Sequence, residues 1–170
     1  MKRLLATSLL SAVAAVMTVN AEEAKPAAAP AADAAATVHK EIIGVLPGVM
    51  QYDKKEFTVK AGEKVAILFT NKACPLQHNL VILKPGTDAA YGTAADAMMQ
   101  KDAAAAMAKA YLPDDATSKA AVIAASTKLI GTGQNEKIEF TAPAEPGDYP
   151  YICTFPGHRF LMKGVMKVTK

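Results

Sequence analysis

Three shortages in the sequence each exclude a class of protein. With two cysteines in 170 residues, a framework of several disulfides cannot form. The chain has no run of lysine or arginine, and its 19 basic residues barely outnumber its 16 acidic ones. The charge pattern therefore offers no basic surface for a nucleic acid, and no nucleic-acid partner is expected. Histidine is also scarce, so any site that uses imidazoles must draw on His39, His78 and His158.

The one long apolar run lies at the N-terminus. Lys2 and Arg3 precede apolar residues 4–19, and Ala21 provides a small residue after them. A charged start, an apolar middle and a small-residue cleavage site are typical of a secretory signal peptide. We therefore predict that residues 1–21 are removed and that the protein is exported to the periplasm.

A retained membrane anchor is the alternative interpretation of this run. It is disfavoured because the run is short for a bilayer span and is interrupted by Thr7, Ser8 and Ser11. No stable membrane insertion is therefore expected after processing. Residues 22–36 are rich in alanine and proline with nothing to pack, which predicts a disordered linker before a folded domain over residues 37–170.

The folded part is predicted to consist of short strands separated by turns. Apolar alternation, apolar runs and Pro-Gly or Gly-rich turns predict strands over residues 38–45, 57–60, 64–70, 78–84, 120–130, 135–141, 149–152 and 164–169. Residues 94–110 are alanine-rich and predict one helix, whose methionines we interpret as packing residues rather than metal ligands. The fold class is therefore all-β, a Greek-key sandwich of about eight strands with one helical insertion.

A short segment near the C-terminus concentrates metal-binding side chains. Cys153, His158 and Met162 offer a thiolate, an imidazole and a thioether within ten residues, with a Pro156-Gly157 bend between the first two. One cysteine and two histidines with a weak axial methionine form the ligand set of a blue-copper electron-transfer site. A complete set of this kind suits electron transfer, because catalytic metal sites keep a position open.

The segment lacks the second imidazole, which must come from elsewhere in the chain. His78 begins an apolar run that we interpret as a buried strand, whereas His39 lies near the end of the first strand. We therefore predict His78 as the second histidine ligand and interpret His39 as a solvated strand residue.

The same residues carry a resemblance to a known family. CTFPGH, followed by three residues and MKG, resembles the C-terminal copper loop of azurins, and His78-Asn79 resembles their other ligand loop. Residues 111–115 and 127–131 are similar to azurin segments in the same order. The resemblance covers residues 78–170 well and points to an azurin-like or auracyanin-like small blue-copper protein of the cupredoxin family. It implies a cupredoxin fold, with the helical insertion outside the barrel, and one copper that cycles between Cu(I) and Cu(II).

The resemblance also implies roles for residues around the metal. Asn79 is expected to tie the two ligand loops together through hydrogen bonds near Thr154, and Phe155 and Pro156 are expected to keep water from the copper. The ring edge of His158 is expected near the surface. The docking surface around it would consist of Pro156, Gly157, Arg159, Phe160 and Leu161, with Arg159 steering an acidic patch on a partner.

Two residues depart from the azurin pattern. Azurins carry glycine where Gln77 stands, and that glycine's carbonyl is a distant fifth contact to copper. A weak backbone contact from Gln77 and a four-coordinate site both stay open. Azurins carry a disulfide near the N-terminus that no cysteine here could form, which leaves Cys74 unexplained. We hypothesise that Cys74 mis-pairs with Cys153 in metal-free protein exposed to oxidant.

The sequence as a whole predicts a monomeric one-electron carrier that is not an enzyme on its own. The expected partners are redox proteins such as c-type cytochromes, reductases or oxidases. The main alternative is a periplasmic copper-binding protein that buffers or delivers the metal. A copper enzyme would need further ligand-rich motifs and more chain.

Overall fold

Eight strands in two sheets form the framework of the computed structural model, which describes residues 37–170. The predictions for residues 1–21 and 22–36 lie outside the described residues. The strands are β1 (His39–Gly44), β2 (Glu56–Lys60), β3 (Lys64–Asn71), β4 (Val81–Leu83), β5 (Val122–Ala125), β6 (Gln134–Thr141), β7 (Gly147–Ile152) and β8 (Lys163–Thr169). The helices are α1 (Asp88–Lys101), α2 (Ala103–Ala108) and α3 (Ala116–Ala121).

The two sheets pack as a sandwich, which confirms the predicted fold class. One sheet has the strand order β1-β3-β6 and the other the order β2-β8-β7-β4-β5. The pairs β1–β3 and β2–β8 are parallel, and the remaining pairs are antiparallel. Buried and exposed residues alternate along β2, whereas β3 is buried at six of its eight positions, as expected for strands that line a shared core.

Aromatic residues fill the core between the sheets. Tyr52, Phe69 and Tyr151 are fully buried, and the Tyr52 ring lies 5.4 Å from that of Tyr151 and 6.0 Å from that of Phe69. Gly164 on β8 faces Tyr151 on β7, and a β-carbon at this glycine would overlap the tyrosine ring. The glycine therefore lets the ring lie across the β7–β8 pair, next to the segment that connects the two strands.

The helical insertion is longer and more divided than the single helix expected over residues 94–110. It begins at Asp88 and breaks at Asp102, whose backbone is extended (φ −159°, ψ 98°) and whose side chain accepts a hydrogen bond from the Ala105 N–H. Aspartate is a strong helix-capping residue, so Asp102 starts a new helix instead of continuing the old one.

A second aspartate cap explains why the strand predicted over residues 120–130 begins later than expected. The Asp115 side chain accepts from the Ser118 N–H and starts α3, so residues 116–121 are helical. Part of this segment, residues 120 and 121, lay within the predicted strand over 120–130, and the observed strand β5 is correspondingly short. The strand expected from His78 likewise begins only at Val81. Among residues 37–170, no helix is both long enough and apolar enough to cross a membrane.

Candidate metal centre

The segment between β7 and β8, residues 153–162, is called the ligand loop here. Its ends are fixed because Ile152 pairs with Lys163 across the two strands and the Cys153 N–H donates to the Met162 carbonyl at 3.0 Å. Gly157 follows Pro156 with a φ of 79°, a left-handed conformation that glycine adopts without strain. One 3₁₀ turn over His158–Phe160 then follows, and the Met162 N–H donates to the His158 carbonyl at 2.8 Å.

His78 reaches the site from a different part of the chain. It lies before β4 and forms an isolated bridge with Ile130, with N–H to O distances of 3.0 and 2.8 Å in the two directions. The bridge fixes the backbone of His78 without making it part of a regular strand. The residue is fully buried, so its imidazole points into the protein.

The two histidines and the cysteine converge. His78 Nδ1 lies 3.2 Å from His158 Nδ1 and 4.0 Å from Cys153 Sγ, and His158 Nδ1 lies 3.7 Å from the same sulfur. Within the described part of the chain, these three residues form the one group of three or more histidine, cysteine or acidic side chains that could together hold a metal ion. All three are buried, and a set of one thiol and two imidazoles without a carboxylate favours a soft transition metal over calcium or magnesium.

Burial sets the protonation of these groups in the metal-free protein. It raises the pKa of the Cys153 thiol to about 12, so the thiol keeps its proton at neutral pH. Burial, with a smaller contribution from His158, lowers the pKa of His78 to about 4, and burial also lowers the pKa of His158. Both imidazoles are therefore neutral at pH 7 and available as nitrogen ligands. The thiol, by contrast, must release its proton when a metal binds.

Met162 is also buried beside this group. It is fully buried in the same apolar cluster as Cys153, and its backbone contacts both Cys153 and His158 through the hydrogen bonds that close the ligand loop. The structure thus brings the donor atoms of His78, Cys153 and His158 together and places the buried Met162 at the end of the same ligand loop. His39 lies elsewhere, on β1, where its ring nitrogens face Glu41 at 3.7 Å and Glu63 at 4.0 Å.

Asn79 connects His78 to the ligand loop. Its Oδ1 accepts from the Thr154 N–H at 2.8 Å, and its Nδ2 donates to Thr154 Oγ1 at 2.6 Å and to the Ala110 carbonyl at 2.7 Å. The Asn79 carbonyl accepts from the Tyr52 hydroxyl at 2.7 Å. The side chain therefore joins three segments that are far apart in sequence, including the end of the helical insertion.

Tyr111 belongs to the surroundings of the site, a role that was not predicted from the sequence. The ring of Phe155 lies 4.6 Å from that of His158, and Tyr111 packs edge-on against Phe155 at 5.4 Å. Ala110 and Tyr111 have φ values of 51° and 56°, an uncommon conformation for residues other than glycine. This bend directs the Ala110 carbonyl to Asn79 and the Tyr111 ring to the ligand loop, and the sequence carries no local signal for it.

The residues of the expected docking surface differ in their exposure. Phe160 and Leu161 are 62% and 52% exposed, and Gly157 is exposed beside the half-buried Pro156. His158 itself is 3% exposed and lies between Gly157 and Arg159 in the ligand loop, next to these surface residues. The ring is covered on one side by Phe155.

Arg159 forms an ion pair that the sequence did not indicate. Its Nε and Nη2 both lie 2.9 Å from Asp96 Oδ2 on α1, and its guanidinium also lies 4.3 Å from the centre of the Phe160 ring. The side chain crosses Gly92, where a β-carbon would overlap it. Arg159 therefore fastens the ligand loop to α1, and this ion pair competes with the expected steering of an acidic partner.

The structure also shows the surroundings of the two residues that depart from the azurin pattern, Gln77 and Cys74. Gln77 is half-buried and does not have a positive φ, so the position does not need the conformational range of glycine.

Cys74 and Cys153 are both free thiols. Cys74 Sγ lies 3.2 Å from His78 Nε2, whereas Cys153 faces His78 Nδ1, so the two sulfurs lie against different nitrogens of one ring. A Cys74–Cys153 disulfide in oxidised, metal-free protein therefore stays a hypothesis, and it would require His78 to move.

Comparison with known proteins agrees with this geometry. Residues 39–169 match the family model described as copper binding proteins of the plastocyanin/azurin family. Auracyanin-A of Chloroflexus aurantiacus is 39% identical over 119 residues, which cover 70% of this chain and 67% of that protein. Azurin-1 of Alcaligenes xylosoxydans xylosoxydans is 36% identical over 126 residues, or 70% of this chain and 89% of that protein.

A solved structure gives the same result. That of auracyanin A, described as a "blue" copper protein, superposes with a TM-score of 0.67 at 36% identity, covering 78% of this chain and all of that one. The family model spans most of the chain, and the buried thiol and imidazoles fit the metal that the family binds. The protein therefore belongs to the plastocyanin/azurin family of copper-binding proteins, with copper as its cofactor.

Proposed function

We propose that this protein is a type 1 copper protein that carries one electron at a time between redox protein partners. Cys153, His78 and His158 would hold the copper through one sulfur and two nitrogens, and Met162 would add a weak thioether contact. The observation that carries the proposal is the convergence of the buried donor atoms of His78, Cys153 and His158 within a framework that is closed by hydrogen bonds. Bound copper supplies a one-electron couple, and the protein is a carrier and not an enzyme.

The chain's own residues meet two requirements of a carrier. The ligands must stay in place when the charge of the metal changes, and the Asn79 hydrogen bonds and the closed ligand loop hold them. Water must also be kept out, and the burial of the three donors, with Phe155 against His158, achieves this. A substrate would need an open position and a polar group beside it, which a buried and filled ligand set does not offer.

Electrons are proposed to leave through His158, by way of the exposed apolar residues next to it. Phe160, Leu161 and Gly157 lie on the surface of the ligand loop, within a few residues of His158. Redox proteins meet through small and short-lived interfaces. An exposed apolar surface of this kind suits c-type cytochromes, reductases or oxidases that dock in the same manner.

The visible spectrum of the mature protein tests this proposal. After Cu(II) is added, we expect an intense blue absorption that disappears with ascorbate and returns in air, because a copper–thiolate bond to Cys153 gives the colour and the couple is reversible. Cys153→Ser should bind copper weakly and stay colourless. A colourless wild-type protein that exchanges copper readily with a chelator would contradict the carrier and favour copper buffering or delivery.

We further propose that residues 1–21 direct export to the periplasm, that residues 22–36 are a linker, and that the mature protein is monomeric. The support is the charged and apolar N-terminal pattern before a domain that begins near residue 37. The intact mass of protein from a periplasmic fraction should correspond to a chain that begins at Glu22. Full-length protein confined to the membrane fraction would contradict the cleavage and indicate an anchor.

A further inference from the structure

Cys74 occupies a position that the ligand set itself does not explain. It is 4% exposed, and its sulfur faces Nε2 of His78, whereas the donors of Cys153 and His158 face Nδ1. Its Sγ is 3.2 Å from His78 Nε2, and among the described residues this sulfur is the one hydrogen-bond partner of that nitrogen. Since the imidazole is fully buried, water does not replace the sulfur as a partner.

The backbone around Cys74 is held in place from two sides. The Cys74 N–H donates to Asn71 Oδ1 at 2.9 Å, and its carbonyl accepts from Thr132 Oγ1 at 2.6 Å. Asn71 Nδ2 donates to the Leu76 carbonyl at 2.9 Å, which closes the turn between β3 and His78. These hydrogen bonds hold the turn so that the Cys74 sulfur contacts the His78 ring. Its position therefore does not depend on the metal.

We propose that Cys74 is a positioning residue for the copper site, which accepts a hydrogen bond from the His78 Nε2–H and so holds Nδ1 toward Cys153 and His158. A histidine ligand needs such a partner on its second nitrogen, because the partner fixes the tautomer and the orientation of the ring. A thiol sulfur is a weak acceptor, so this contact orients the ring while donating less electron density to it than a carbonyl or carboxylate would. The inference rests on the proposed copper-binding function of His78.

Substitution at Cys74 separates orientation from simple packing. Cys74→Ala removes the acceptor and should weaken metal binding by about ten-fold, the lower end of the loss seen when such partners are removed. Cys74→Ser keeps an acceptor of similar size and should retain most of the wild-type affinity. The affinity for Zn(II) and Cu(II) can be measured by competition with a chelator of known affinity.

Nitrogen NMR gives a readout that a purely structural role would not change. The chain has three histidines, so a spectrum of protein labelled with ¹⁵N-histidine is simple to assign. In the Zn(II)-loaded wild-type protein, His78 should show a protonated Nε2 with a slowly exchanging proton. That proton should shift and exchange faster in Cys74→Ala and recover in Cys74→Ser.

Ser126→Ala is the matched control. Ser126 is fully buried, and its Oγ accepts from the Leu80 N–H at 3.0 Å without contacting either histidine. The Ser126→Ala substitution should lower the free energy of unfolding without shifting the His78 resonances. Equal affinity and an unchanged Nε2 proton in Cys74→Ala would overturn the proposal, as would the same loss of affinity in Ser126→Ala. If the wild-type protein binds no copper or zinc, the proposed function fails; if it binds and the Cys74 variants match it, only this inference fails.

Discussion

At the scale of single residues, Asn79 has the largest set of contacts that join separate parts of the site. Its side chain alone supplies three hydrogen bonds to Thr154 and Ala110, and all of these groups are buried. A buried amide or carbonyl that loses its partner destabilises a protein more than the hydrogen bond itself had stabilised it. Asn79 is therefore a residue on which both folding and ligand geometry depend.

Replacement of Asn79 by alanine should lower the free energy of unfolding of the metal-free protein by about 2–4 kcal/mol, because the Thr154 N–H and the Ala110 carbonyl lose their partner. Urea denaturation measures this loss. Thr154→Val is the graded control, since it removes only the contact between Asn79 Nδ2 and the hydroxyl. A loss in Asn79→Ala no larger than that in Thr154→Val would show that the backbone contacts contribute little.

Cys153 gives a second prediction at this scale, which concerns protons. Burial raises the pKa of its thiol to about 12, while His78 and His158 are already neutral at pH 7. Binding of one Cu(II) at pH 7 should therefore release about one proton. Calorimetry in buffers of different ionisation enthalpy measures the number, and Cys153→Ser should release none. Release of about two protons by the wild type would mean that a histidine is charged before copper binds.

At the scale of elements, the helical insertion contacts the ligand loop at two points. Near its start, α1 meets the loop through Gly92 and Asp96, which hold the Arg159 side chain. After α2, the left-handed pair at Ala110 and Tyr111 brings a carbonyl and a ring to the other side of the site. The insertion therefore stabilises the surroundings of the metal centre, in addition to packing against the sandwich.

The pair Arg159–Asp96 should be energetically coupled. In a double-mutant cycle with Arg159→Gln and Asp96→Asn, we expect a coupling energy of about 1 kcal/mol, the upper range for ion pairs that are partly exposed. Thermal or urea unfolding of the four proteins measures it, and Lys109→Gln with Asp114→Asn, a fully exposed pair, serves as a weaker comparison. A coupling near zero would mean that Arg159 is free, and a steering role toward acidic partners would then return.

At the scale of the whole molecule, burial of two neutral histidines makes the metal-free protein sensitive to acid. The pKa of His78 is lowered from 6.5 to about 4 in the folded state, so the unfolded chain binds more protons between these values. Stability is therefore complete above the unfolded pKa and falls as the pH drops from about 6.5 toward 4. The pKa values of Asp114 and Asp115 are lowered by their hydrogen bonds to Lys109 and Ser118, which extends the loss to more acidic solution.

The metal-free protein should lose about 3 kcal/mol of stability between pH 7 and pH 4 through His78 alone. Urea denaturation at several pH values gives the slope. His78→Gln removes the titrating group, so its stability should depend less on pH in this range. A wild-type protein whose metal-free form is equally stable at pH 7 and pH 4 would show that the ring gains access to water when protonated.

The sequence by itself determined the fold class and most of the donor set. Alternating apolar residues need only their neighbours to indicate a strand, and the spacing of Cys153, His158 and Met162 lies within a single loop. Both are local properties, and the strands and the loop lie close to where the pattern placed them. The aspartate caps at positions 102 and 115 are equally local signals, and they mark where α2 and α3 begin.

Only the tertiary structure decided what depends on segments far apart in the chain. His78 and Cys153 are 75 residues apart, and their approach requires the packed sandwich that holds β4 beside β7. The contact of Cys74 with the far side of His78, and the pairing of Arg159 with Asp96 across 63 residues, follow from the same packing. Sequence patterns report the preferences of each segment, but the partner of a buried polar group is chosen by which segments the folded core brings together.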